Sequence, residues 1–383
     1  MPAVYLDQAA TSFPKPPCVA DAMAAYITQV GANVNRGVYG TAQQAERTVL
    51  RLRQRLCALF DFDDPTHAVL TPGNTWGLNL VLGGALHPGD HCIVSAMEHN
   101  AVMRPLHRLA GQGVTFDRIP CDEEGFLDLS ALETMFRPNT KLVVLAHASN
   151  VSGTVQDAAA VGKICAAHGV PFCLDAAQTA GHLPLSFKEL GLAALSVPAH
   201  KGLMGPQGLG ALLLAPDFAK TLDPYVTGGT GSASDSEEQP GYMPDKFEPG
   251  TQNLPGIYGW EAALAYLAEI GVETVRAHDV AISRRFLEGL STIPGVALKG
   301  PKDPARRVGV FSLDFAGRDN AEVAYTLETQ FGILTRCGLH CAPAAHKTLG
   351  TFPRGTVRFS TGWFTSEADI DAALAAIRAV TAE

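Results

Sequence analysis

The feature that most constrains this chain is a pattern recurring along its first half: a short apolar run, a loop of Gly, Asn, His or Asp, then an amphipathic helix. HAVLTPG (67–73) leads to TWGLNLVLGGAL, DHCIVSAMEHN (90–100) to AVMRPLHRLAGQG, and KLVVLAHASN (141–150) toward AAAVGKICAAHG. VPFCLDAAQT (170–179) and AALSVPAHK (193–201) continue the series. Short apolar runs without polar alternation suit strands covered on both faces, and strands that alternate with helices build a parallel sheet in an α/β domain. Ligands of such sheets bind beyond the carboxyl ends of the strands.

The second half reads differently. VTGGTGSASDSEEQPGYMPDKFEPGTQNL (226–254) is rich in Gly, Ser, Pro and acid and reads as a long loop. IYGWEAALAYLAEIG and VETVRAHDVAISRRFLEGLSTI then read as two helices leading into a smaller domain. There RVGVFSLDF, AEVAYTLETQFG, GILTR, TVRFSTGW and EADIDAALAAIRAV suggest an α+β layer. The expected division is an N-terminal segment 1–15 packed with the small domain, a large domain 16–255 and a small C-terminal domain 256–383. With 383 residues, 46% hydrophobic and 17% charged, the chain is large enough for two cores.

Charge and cysteine usage narrow the partners. A formal net charge of -9 offers no general basic face for nucleic acid or an anionic membrane. MPAVYLDQAATS has neither a basic nor an apolar leader-like stretch, and no apolar run reaches the roughly 18 residues of a membrane span. A cytoplasmic protein is expected. Its eight cysteines are scattered, without the paired spacings of a disulfide framework or zinc ribbon, and read as reduced thiols with no metal site.

Polar residues close five successive apolar runs: Asn74 and Thr75, His99, Asn150, Asp175 and Gln178, His200 and Lys201. Each alone serves equally as a cap or turn, with DAAQ a helix cap and HK a surface pair. Together they suit pyridoxal phosphate, whose aldehyde needs a lysine and whose ring nitrogen needs a buried carboxylate. GNT (73–75) opens a helix, where free N–H groups and a hydroxyl bind anions. No P-loop and no G-x-G-x-x-G after a strand is present, so nothing supports a nucleotide site.

The whole chain resembles the class V aminotransferase family of fold type I pyridoxal-phosphate enzymes, and within it the cysteine desulfurases and selenocysteine lyases. The resemblance runs through YLDQAAT (5–11), NRG (35–37), MEHNAV (97–102), HASNVSGT (147–154), LDAAQTAG (174–181), AHKGLMGPQGLG (199–210), FEPGTQN (247–253), RCGLHCAP (336–343) and TVRFS (356–360). It implies a large domain with a mostly parallel, seven-stranded type of sheet and a smaller α+β domain carrying a catalytic cysteine.

Residue by residue, the resemblance makes Lys201 the cofactor-binding lysine, Asp175 the partner of the ring nitrogen and Gln178 the donor to the ring hydroxyl. His99 resembles the histidine stacked on the ring. Thr75 and His200 resemble phosphate ligands supported by Asn74, and Thr251 one supplied by a second subunit, which implies a homodimer. Asn150, Arg358 and Arg336 resemble substrate-holding groups, a task suited to guanidinium forks. Pro198 stands where the family commonly has a hydroxyl residue, and proline offers neither hydroxyl nor N–H.

Cys341 matches the family's nucleophile, with His340 and Arg336 as neighbours that would stabilise its thiolate. The resemblance implies conversion of L-cysteine to L-alanine with sulfur left as a persulfide on Cys341, a sulfur acceptor protein and a role in iron–sulfur cluster assembly. Selenocysteine lyase is the alternative, and another Cβ-lyase, an aminotransferase, or a scaffold without pyridoxal catalysis lies further off. Cys337 reads as a small core residue or as a thiol that resolves Cys341, the other cysteines as buried packing, and His346 and Lys347 as surface residues at a helix start.

Overall fold

Apolar alternation across a sheet explains how the first half folds. The computed structural model describes residues 3–35 and 37–382, so Arg36 of the NRG motif lies outside the described residues. After β1 (Val4–Tyr5), the strands β2 (Ala68–Thr71), β3 (His91–Ser95), β4 (Thr115–Ile119), β5 (Thr140–Ala146), β6 (Phe172–Asp175), β7 (Ala194–Pro198) and β8 (Gly210–Leu214) form one seven-stranded sheet. Its order is β2-β8-β7-β6-β5-β3-β4, and only β8 runs against the others.

Ile93, Val143, Leu145, Leu174, Leu195 and Leu213 point into one core. Their neighbours Cys92, Val94, Leu142, Val144, Cys173, Ala194 and Leu212 point into a second core on the opposite face. Strands covered on both sides have no polar face to show, which is why they read as continuous apolar runs. Helices Asn74–Ala85 and Asn100–Ala110 cover the second face, while Gly40–Leu59, Ala158–His168 and Leu254–Ile270 cover the first.

One expected boundary falls in the wrong place. Helix Leu254–Ile270 buries Leu254, Ile257, Trp260, Ala263, Leu264 and Leu267 in the core of the large sheet, so a division between 255 and 256 would cut that core. The physical reason is that this helix is apolar on most of its circumference and needs cover on several sides. The small domain's own core starts in the next helix, Val272–Leu290, with Ile282 and Phe286.

The small domain holds β9 (Val296–Lys299), β10 (Val310–Phe315), β11 (Ile333–Leu334), β12 (Arg336–Gly338) and β13 (Thr356–Ser360). An antiparallel sheet of order β12-β13-β10-β9 packs Phe311, Leu313, Phe315, Val357 and Phe359 against Phe286, Ile370 and Ile377 of the covering helices. β1 pairs in parallel with β11, and Leu6 joins this core. Beyond Ala9 the N-terminal segment turns to the large domain, where Thr11, Ser12 and Lys15 bond the carbonyl of His200. Residues 226–253 carry no helix or strand, and no helix among the described residues is long and apolar enough to cross a membrane.

Candidate active site

The carboxyl ends of β2, β3, β5, β6 and β7 open onto a cavity of about 670 Å³. Asn74, Thr75, His99, Asn150, Asp175, Gln178, His200, Lys201, Arg336, Cys341 and Arg358 all line it, from seven separate stretches of sequence. Thr251 does not. It is exposed and lines an adjoining pocket that shares Pro72, Trp76, Gly208 and Leu209 with the main cavity.

Asp175 sits at the last position of β6, 4% exposed. Its Oδ1 accepts from Asn74 Nδ2 (2.8 Å) and Ala177 N–H (3.0 Å), while among the described residues no donor is bonded to Oδ2. Burial raises its pKa, and the two donors and the Lys201 cation hold the rise back. Asn74 is in turn fixed by Ser196 Oγ, which donates to its Oδ1 (2.6 Å). The loop is tight: a Cβ on Gly210 would lie 2.8 Å from the carbonyl carbon of Gly73 and 2.9 Å from Asn74 N, so only glycine fits beside this helix start.

Lys201 carries a different imbalance. Burial lowers its pKa to about 8, Arg358 and Arg336 push the same way, and Asp175 opposes them. Part of the population therefore holds a neutral, nucleophilic amine near neutral pH. His200 contributes a ring whose Nδ1 is buried without a partner, and its carbonyl accepts from Ser12 N–H (2.9 Å), Thr11 Oγ1 (3.1 Å) and Lys15 Nζ (2.8 Å). Burial lowers the His200 ring pKa to about 4.

His99 caps helix Asn100–Ala110 in an unusual way, its ring Nδ1 accepting from Ala101 N–H at 3.0 Å. That bond leaves the proton on Nε2. Burial first, then Lys201 and three arginines, lower its pKa to about 4, so the ring is neutral at ordinary pH.

On the small-domain side, β12 and β13 place Arg336 directly opposite Arg358. Arg358 is 2% exposed; it donates to Asp7 Oδ1 (2.7 Å) and to the carbonyl of Asn150 (3.1 Å), while its Nε–H is buried without a partner. Asn150 Nδ2 donates to the carbonyl of His340 (2.7 Å). Arg336 is exposed and makes no side-chain bond among the described residues.

Cys341 is an exposed free thiol at the cavity rim. His340 and Cys341 both have left-handed backbone, φ 48° and 58°, a conformation non-glycine residues adopt only when their surroundings impose it. Here the Asn100 N–H bonds the Cys341 carbonyl (2.8 Å) and Asn150 bonds that of His340. Three expectations for this loop need correction. His340 is buried and its pKa is driven far down by that burial and by Arg358, so it is neutral and supplies no cation for a thiolate. His346 is fully buried rather than on the surface, its Nδ1 lying 2.7 Å from Thr351 Oγ1. Cys337 is exposed on β12, not a core residue, and does not line the cavity; neighbouring strand residues face opposite ways, and Arg336 takes the cavity side. Cys18 and Cys121 are half-buried, and Cys57, Cys92, Cys165 and Cys173 are buried.

Asp7, Ser196 and Tyr225 belong to the site but were not singled out from sequence. Tyr225 lines the cavity and its hydroxyl accepts from Arg108 Nη2 (2.6 Å). The one available signal was for Asp7: an arginine in the middle of an apolar strand, as in TVRFS, demands a carboxylate somewhere.

The family model for class V aminotransferases matches residues 4–373. The chain belongs to that family. A protein of Methanothermobacter thermautotrophicus named "Probable cysteine desulfurase" is 33% identical over 373 residues, covering 96% of this chain and 92% of its own. The apo structure of a cysteine desulfurase from Thermococcus onnurineus superposes with a TM-score of 0.93 at 32% identity, over 99% of this chain and 95% of that one. The S-sulfonic acid form of the cysteine desulfurase CsdA from Escherichia coli gives 0.88 at 28% identity, over 98% and 94%. Class V aminotransferases depend on pyridoxal 5'-phosphate. The residues here fit that group: an open carboxylate oxygen on Asp175, an unpartnered His200 Nδ1, a helix start at Asn74 and a lysine with a lowered pKa surround one cavity.

Proposed function

We propose that this class V enzyme is a cysteine desulfurase that converts L-cysteine to L-alanine and leaves the sulfur on Cys341. The observation that carries this reading is the convergence of Lys201, Asp175, Arg358 and an exposed Cys341 on one cavity. The similarity to named cysteine desulfurases supports it.

Lys201, Asp175, Gln178, Thr75 and His200 would hold pyridoxal phosphate, which supplies an electron sink for charge developing at the substrate's Cα. Arg358 and Asn150 orient the substrate carboxylate, with Arg336 on the facing strand. Lys201, with its pKa near 8, both takes and returns a proton, and neutral His99 keeps an Nε2–H donor in the cavity. The Cys341 sulfur attacks the substrate sulfur, the Cβ–S bond breaks as the S–S bond forms, and Cβ gains a proton. L-cysteine and one thiol thus give L-alanine and one persulfide, with atoms and electrons in balance. The exposed position of Cys341 suits hand-over of that sulfur to an acceptor protein, and the exposed Thr251 suits a site completed by a second copy of the chain.

The test is alanine release from L-cysteine and L-selenocysteine by the wild type and Cys341→Ala. Turnover of cysteine that Cys341→Ala abolishes is expected. Turnover of selenocysteine alone, or a fully active Cys341→Ala, would overturn the assignment.

A further inference from the structure

The two arginines facing each other across β12 and β13 pose a physical problem. Like charges directly opposite on neighbouring strands repel, and a buried guanidinium without a counterion is strongly unfavourable. Arg358 is almost fully buried, Arg336 stands opposite it, and burial, joined by both arginines, lowers the pKa of Lys201. Among the described residues the one carboxylate bonded to this cluster is Asp7, whose Oδ1 lies 2.7 Å from Arg358 Nη2.

Asp7 is itself held firmly. It forms a parallel bridge with Ser360, the residue that ends β13 two positions after Arg358. Ser360 N–H donates to the Leu6 carbonyl (2.7 Å), and Ala9 N–H donates to Ser360 Oγ (2.9 Å). The backbone on both sides of Asp7 is therefore tied to the strand that carries Arg358. The Asp7 bond does not exhaust the guanidinium, because Nε–H remains buried with no partner.

We propose that Asp7 is a positioning residue for substrate: it anchors Arg358 against repulsion by Arg336, so that the free Nε–H edge meets the α-carboxylate of the incoming amino acid. The inference rests on the reading of Arg358 as the carboxylate-binding group. It assigns Asp7 a role in affinity for the carboxylate rather than in the bond-breaking step. With Asp7 gone, two uncompensated guanidinium groups push apart and the binding edge loses its aim.

L-alanine and ethylamine differ only by the carboxylate and thus separate this role from general damage. Both are titrated into the pyridoxal-phosphate-loaded protein by its visible absorbance, for the wild type, Asp7→Asn, Asp7→Glu and Arg358→Ala. The expected result is about tenfold weaker alanine binding in Asp7→Asn, ethylamine within about twofold, and partial recovery in Asp7→Glu, which keeps the charge. For L-cysteine, KM rises by a similar factor while kcat changes by less than about threefold, as for loss of uniform binding. Equal effects on both amines, or none on alanine, would overturn the role of Asp7. Should Arg358→Ala bind alanine and ethylamine with unaltered preference, the assignment of Arg358 itself fails, which is a separate outcome.

Discussion

Asn74 Nδ2 donates a 2.8 Å hydrogen bond to Asp175 Oδ1, joining the start of the helix after β2 to the last residue of β6. This bond stabilises the charged form of a carboxylate whose pKa burial raises. A charge-assisted hydrogen bond of this kind contributes roughly 1.5–3 kcal/mol. Replacing Asn74 with Ala is therefore expected to raise the Asp175 pKa further and to weaken pyridoxal phosphate roughly tenfold to a hundredfold. Absorbance titration of apo protein with the cofactor reads this directly, and an Asn74→Ala protein that binds as tightly as the wild type would refute it.

The lowered pKa of Lys201 sets a pH at which cofactor loading becomes fast. Only the neutral amine attacks an aldehyde, and burial places its midpoint at about 8 rather than the usual lysine range. The loading rate of apo protein is expected to climb about tenfold per pH unit below 8 and to level off above it. A rate still climbing steeply at pH 10 would show an unperturbed lysine.

Several buried histidines fix the sign of acid sensitivity. Burial lowers His99, His147, His200 and His346 to about 4, and His340 further still. In the unfolded chain these rings take up protons near pH 6.5, so between there and about 4 the unfolded state binds protons that the folded state refuses. Glu98, raised to about 7 chiefly by burial, and Asp175, also raised by burial, work in the opposite sense but are outnumbered by these five rings. His182 is raised by Asp279 and is protonated in both states below pH 6. The urea midpoint of the apo protein is expected to fall as pH drops from 6.5 to 4; a flat or rising midpoint would contradict this balance.

Trp260 tests where the large core ends. It is fully buried and packs with the large-sheet core, its ring lying where a Cβ on Gly205 would fall. Trp260→Ala is expected to cost about 3–5 kcal/mol, as aromatic truncations in well-packed cores do. The loss should register in the unfolding transition of the large domain, followed by its cofactor absorbance. A loss confined to the small domain would restore the boundary at 255/256.

How far could the residues alone carry the structure? Five strands of the large sheet stood out because each is covered on both faces and each has a polar residue at or just beyond its end. β4 (TFDRI) is partly exposed and carries charge at an edge, so its apolar signal is weak. β8 reads like the other strands, yet nothing in GALLL tells that it runs antiparallel between β2 and β7. The cavity residues were readable as chemistry because lysine, carboxylate and thiol sit at strand ends or in a turn. The Asp7–Arg358 pair was not, since 350 positions separate its members and only the folded chain brings them together. The charge state of His340 escaped for a related reason: it depends on burial and on Arg358 and Thr356 of the distant β13 strand as well as on nearby His346.

The pairing of β1 with β11 carries a consequence for how the protein is made. Val4 leaves the ribosome well before its partner Ile333. The large sheet, complete by Leu214, can assemble while translation continues, since domains tend to fold as units in the order they emerge. Asp7 and the hydroxyls of Thr11 and Ser12 belong to a segment whose final anchor is still unsynthesised. The catalytic cavity thus closes only after β11 has emerged, and a nascent chain stalled before β11 would hold a formed sheet with no working site.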